Sequence, residues 1–176
     1  MRKRGARKGQ WIFWVVALFG WFAPAGVLAT SENLLVNGDF AADGGGWSGA
    51  SGGGSCSNGV PSLGVWDGQS QLTFSYMQNS VSQQVTISSP SALELSFLAN
   101  GPNGGTYSAT ISDSDESVTT GVLTAGANQV SNLGITTTQN NEVVTITFAG
   151  KDSLFWAGCY GPVIRNASLT VITQPT

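Results

Sequence analysis

Between Asn33 and Ile172 few stretches repeat their apolar residues at the three-to-four spacing of a helix; the chain instead alternates in short runs separated by turn-forming clusters. Runs of alternating or β-branched character occupy Asn33 to Val36, Gln71 to Tyr76, Ser80 to Ile87, Ala92 to Leu98, Thr106 to Ile111, Ser117 to Leu123, Val130 to Ile135, Val143 to Phe148 and Ala167 to Ile172. Gly44-Gly45-Gly46, Gly52-Gly53-Gly54, Gly101 to Gly105 and Thr137 to Asn141 divide them by turn chemistry. A period of two sends successive side chains to opposite faces. Leu93-Glu94-Leu95-Ser96-Phe97-Leu98 and Val144-Thr145-Ile146-Thr147-Phe148 therefore each offer one apolar face to an opposing sheet. Eight or nine short strands of this kind predict an all-β sandwich rather than a parallel α/β sheet. Ala42 to Asp67 is the longest stretch without a convincing strand, and Trp47, Cys56, Val65 and Trp66 within it predict a structured loop rather than a linker.

The first thirty residues are of another kind. Arg2, Lys3, Arg4, Arg7 and Lys8 are five of the seven basic residues in the chain. An apolar run from Trp11 to Phe22 follows, then Pro24 and Gly26 as helix breakers, then Val27-Leu28-Ala29 with short residues suited to a signal peptidase. Residues 1–29 thus read as a secretion signal cut between Ala29 and Thr30. The alternative is an uncleaved anchor, because Trp11 to Ala29 is 19 residues and a span takes about 20, but Pro24 and Gly26 weaken such a helix. The expected mature chain, residues 30–176, is one domain of ordinary size, secreted or held at the cell surface, with no stable membrane insertion after cleavage. It carries ten acids against Lys151 and Arg165, a net charge of −8, so nucleic acid and anionic membrane surfaces are poor partners. Cys56 and Cys159 reach a compartment that permits disulfides, and they form either a bridge or two separately buried thiols.

There is no histidine, which removes the commonest general base, the histidine-dependent triads and the usual zinc ligand. Two carboxylates could still cleave glycosides, but the acids are scattered over loops and solvent-facing positions, so no catalysis and no cofactor are expected. Asp113-Ser114-Asp115-Glu116 is the only acidic cluster and offers hard oxygens of the kind a structural calcium takes, with Glu32 and Asp39 a second weak source. Neither has the spaced ligand loop of a calcium site, and a solvated hairpin tip is the preferred reading of the cluster. Asn166-Ala167-Ser168 is a glycan acceptor sequence for a glycosylating host, sitting where a strand should begin.

The two ends carry the most specific signal. Asn33-Leu34-Leu35-Val36-Asn37-Gly38-Asp39-Phe40 with the downstream Gly46-Trp47 resembles the opening strand of galactose-binding-like jelly rolls and carbohydrate-binding modules. Gly150-Lys151-Asp152-Ser153-Leu154-Phe155-Trp156-Ala157-Gly158-Cys159-Tyr160-Gly161, continuing to Asn166-Ala167-Ser168, is similar to the terminal hairpin of the F-box-associated sugar-recognition domain. That resemblance implies a jelly-roll sandwich that binds glycans, with Phe155 and Trp156 as the ring step that packs on sugar. Ala157 stands where that family has a basic residue, and no F-box segment precedes the domain, so neither its particular glycan nor a ubiquitin-ligase role carries over.

The residues themselves agree with a sugar platform. Pyranose C–H faces stack on aromatic rings while hydroxyls need amides or charged groups, and Phe155, Trp156 and Tyr160 lie close to Asp152 and Arg165. Adjacent strand residues point to opposite faces, so one ring of the Phe155-Trp156 pair stays exposed unless a loop covers it. Trp66, in the loop-like Trp66-Asp67-Gly68, and Trp47 are further candidate contacts; with Tyr76 they are the aromatics more often found in a core. The expected function is oligosaccharide or glycoprotein-glycan binding without catalysis; the alternative is a structural or adhesive sandwich that contacts protein.

Overall fold

The computed structural model describes residues 32–42, 45–53, 56, 60–66, 68–74, 78–101, 105–126, 129–151 and 161–172, the side chain of Trp66 excepted. Ten strands run in the order β1 Ser62–Trp66, β2 Gln69–Thr73, β3 Asn79–Ile87, β4 Ala92–Asn100, β5 Thr106–Ser112, β6 Ser117–Thr119, β7 Leu123–Thr124, β8 Gln129–Thr136, β9 Glu142–Gly150 and β10 Val163–Val171. One sheet has the order β1-β2-β10-β4-β8; the other runs β3-β9-β5-β6, with β7 also paired to β5. Every pairing between these strands is antiparallel, and no helix occurs among the described residues. This is an all-β sandwich of the jelly-roll type.

The alternation read from the sequence is what closes the core. β4 alternates half-buried and buried positions throughout, placing Leu93, Leu95, Phe97 and Ala99 inside, and β9 does the same with Val144, Ile146 and Phe148. A line of rings crosses the interior from Phe40 to Trp47, Phe148, Phe97 and Tyr107, with centroids 5.4, 5.6, 5.0 and 6.1 Å apart. The tilted and edge-on geometries are those that aromatic quadrupoles favour.

Three departures from the sequence reading bear most on the architecture. Asn33 to Val36 is not a strand but a turn-rich clamp. Asn33 Oδ1 accepts from the N–H of Leu35 and of Leu169, and its Nδ2 donates to Ala167 O, so a side chain replaces a ladder partner. A strand expected to be absent, β1, lies in the glycine-rich stretch, paired with β2. The expected strand Ser117 to Leu123 is broken into β6 and β7 around Gly121, whose φ of +71° suits glycine.

Register fixes two ends of the sandwich. At one end β9 finishes at Gly150 beside the starts of β3 and β5, and β10 starts at Val163 beside the ends of β2 and β4. The connections β2–β3, β4–β5, β7–β8 and β9–β10 all pass between the sheets at this end, called the loop end below.

Candidate functional site

The sequence candidates Asp152, Phe155, Trp156 and Tyr160 lie outside the described residues, as does Tyr76. Their anchors are described. Lys151 N donates to Thr106 O at 2.9 Å, and Gly161 N to Phe74 O at 2.9 Å, so the segment between them leaves and re-enters at the loop end. Trp66 is the last residue of β1, paired with Gln69, and its side chain lies outside the described set.

Trp47 is in the core and is not a surface contact. It is 4 % exposed, its indole N–H donates to Asn37 O at 3.1 Å, and its ring packs between Phe40 and Phe148. The physical reason is the turn before it: Gly46, at φ +78°, aims the indole inward, and Gln83 holds that turn in place. Gln83 sits at a core-facing position of β3, donating from Nε2 to Val36 O and Gly46 O and accepting from Val36 N. A glutamine between Val81 and Val85 in an alternating strand was the sequence signal for such a bracket, and it was missed.

Of the two readings left open for the cysteines, Cys56 takes the bridged one, since it is disulfide-bonded; Cys159, the chain's other cysteine, lies outside the described residues. Cys56 is buried, and its sulfur lies 3.6 Å from Thr73 O at the loop end.

Of the acidic candidates, Asp113 and Asp115 use their carboxylates in a clip between turns. Asp113 Oδ1 accepts from the N–H of Asp115 and Glu116, closing the β5–β6 hairpin tip. Ser114 donates to Glu142 Oε1, Thr138 donates to Asp115 Oδ2, and Glu142 Oε2 accepts from Thr138 N and Gln139 N. The carboxylates are thus used in joining two turns at the end opposite the loop end. Asp39 Oδ1 accepts from Ala41 N, and Glu32 lies exposed at the start of the described chain. Among the described residues no group of three His, Cys, Asp or Glu is arranged to hold a metal ion, and no helix is long and apolar enough to cross a membrane.

What the structure adds is a polar relay on the outer face of the first sheet. The guanidinium of Arg165, on β10, donates from Nε and Nη2 to Gln71 Oε1 at 3.0 and 2.6 Å. Gln71 Nε2 donates in turn to Thr73 Oγ1 at 3.1 Å, and Gln71 is only 3 % exposed. Ser62, paired with Thr73 on β1, is buried with no hydrogen-bond partner for its Oγ among the described residues. Across β4 and β8 the same face opens: Arg165 stands in register with Leu98 and then Val130, which is 64 % exposed, while Ser168 stands in register with Ser96 and then Asn132. An immobilised guanidinium thus borders an open strip of apolar and hydroxyl or amide groups. A second groove, of about 340 Å³, lies on the other sheet, where Ser80, Ser108, Thr110 and Thr147 line it beside Lys151.

No family model matches the chain, and no curated protein matches it in sequence. Its fold is that of solved carbohydrate-binding β-sandwiches. It is similar to the module TmCBM61, solved in complex with β-1,4-galactotriose, with a TM-score of 0.56 and 15 % identity over 81 % of this chain and 100 % of that one. It is equally similar, at TM-score 0.56 and 16 % identity, to part of the enzymatically active domain of bacteriophage CBA120 tailspike protein 4, over 80 % of this chain but 21 % of the tailspike chain.

Proposed function

We propose that this domain binds carbohydrate and does not transform it. The observation that carries the reading is that its sandwich matches, over its neighbour's full length, a module whose solved partner is an oligosaccharide. The absence of histidine and the use of Glu142, Asp115 and Asp113 as turn clips support a non-catalytic role. The loop end and the adjoining outer face around Arg165 form the contact surface. The segment anchored at Lys151 and Gly161 would bring Phe155, Trp156, Tyr160 and Asp152 there, and Trp66, at the β1–β2 turn away from the loop end, would be a further contact of the outer face. The resemblance of that segment to the F-box-associated sugar-recognition hairpin supports Phe155 and Trp156 as the sugar-stacking pair. Secretion by way of residues 1–29 would deliver the domain to oligosaccharides or glycoprotein glycans outside the cell.

Glycan-array screening followed by calorimetric titration of the mature chain tests this. Trp156→Ala or Phe155→Ala, whichever removes the exposed ring, should keep the wild-type melting temperature and lose at least tenfold in affinity, since a stacked ring contributes about 1 kcal/mol or more beyond its buried area. A folded protein that binds no glycan above background sinks the reading.

A further inference from the structure

Arg165 is the only arginine beyond residue 30 in a domain rich in acids, yet it has no carboxylate partner among the described residues. Its one acceptor is the neutral amide oxygen of Gln71, which is itself fixed by Thr73. A guanidinium has five N–H donors in a planar fork. The edge formed by Nε and Nη2 is spent on Gln71, and this leaves the edge formed by the two terminal nitrogens, with a geometry that suits a carboxylate held by two parallel bonds.

Of the domain's ten acids, the four at the opposite end and Glu94 lie too far away to cancel the attraction at Arg165, while Asp39 follows Gly38, whose carbonyl accepts from Ala167 N. Asp113, Asp115, Glu116 and Glu142 belong to the turns opposite the loop end. Glu94, on the same face of β4 as Leu98, is four residues from Arg165's register partner, about 13 Å at the usual strand rise. The screening length at physiological salt is about 8 Å, so these charges are largely screened from a ligand at Arg165.

We propose that the glycan taken by this face is acidic, a polysaccharide containing uronic acid units, and that Arg165 reads its carboxylate. This rests on the carbohydrate-binding reading above. The experiment is titration of the mature protein with oligogalacturonates, oligomannuronates and glucuronic-acid-substituted xylo-oligosaccharides against neutral β-1,4-galactotriose and xylotriose, for wild type, Arg165→Lys and Arg165→Gln. The expected result is at least one uronate oligomer bound ten times more tightly than its neutral counterpart, with affinity falling as salt rises. Arg165→Gln should bring the two to parity, and Arg165→Lys, which keeps the charge without the fork, should fall between. Thermal melts establish that both variants are folded; if Arg165→Gln does not fold, Arg165→Lys alone must narrow the preference. Binding of neutral oligomers as tight as or tighter than uronates, or a preference unmoved in the folded variants, overturns the acidic-ligand assignment and leaves the carbohydrate reading standing. No binding to either class overturns both.

Discussion

Asn33, Asn37 and Gln83 satisfy with side chains the backbone groups that a strand would satisfy with its ladder. Asn37, held at φ +52°, accepts from Ala42 N and donates to Ala42 O and Gly45 O, and its carbonyl accepts from Phe40 N and the Trp47 indole. Gly38 passes so close to β10 that a Cβ there would overlap Ala167 O. Gly38→Ala should therefore cost about 1–3 kcal/mol by overpacking and lower the melting temperature by several degrees, as calorimetry would show. Glu142, 6 % exposed, supports a comparable argument. Glu142→Ala strips acceptors from Thr138 N, Gln139 N and the Ser114 hydroxyl and should cost roughly 1–3 kcal/mol by urea unfolding, whereas Glu142→Gln, keeping one oxygen, should cost less. The motif from Asn33 to Trp47 was legible as an opening signature, but its meaning was not. Polar residues spaced for hydrogen bonding to distant backbone look like strand residues until β10 is beside them.

Elements were legible in proportion to the contrast between their two faces. β3, β4 and β9 alternate cleanly because one face meets the core and the other meets solvent. β1 was hidden because its faces lack contrast: Ser62 and Gly64 on the outer side are buried, while Val65, on the side of Leu63, is 59 % exposed. β10 begins four residues before the expected Ala167 and is interrupted by a register shift between Arg165 and Ser168, where Asn166 takes φ +50°. Such a bulge needs a residue that tolerates the left-handed region. Asn166→Gly should therefore change the unfolding midpoint little, while Asn166→Val, β-branched and confined at that φ, should destabilise by about 1–2 kcal/mol. Equal midpoints for the two variants would mean that the shift is not held by this residue's backbone.

At the scale of the whole molecule, the two sheets gather four crossing connections at the end where Cys56 is tied down and Arg165 begins the open face. Counting strands could not reveal this, because which loops share an end depends on which consecutive strands change sheets, a matter of pairing between residues far apart in sequence. The candidate rings, and Arg165 near them in sequence, were legible as residues, but the acceptor that fixes the guanidinium, Gln71, 94 positions away, was not. A bridge from Cys56 to Cys159 would couple the core to the proposed site. Cys159 is the only possible partner for Cys56 within the chain and lies between Trp156 and Tyr160, so a bridge closing 103 positions would both stabilise the fold and restrain the ring-bearing segment. In the chain-entropy picture such a loop contributes on the order of 4 kcal/mol. Reduction, or the Cys56→Ala/Cys159→Ala pair, should lower the melting temperature by roughly 10 °C at a few degrees per kcal/mol. The same variants, titrated with glycan well below that temperature where the sandwich remains folded, should bind at least severalfold more weakly, because a loosened segment must be ordered again on binding. A lower melting temperature with unchanged affinity would mean that the contact surface is carried by the sheet face alone and that the ring segment takes no part in it.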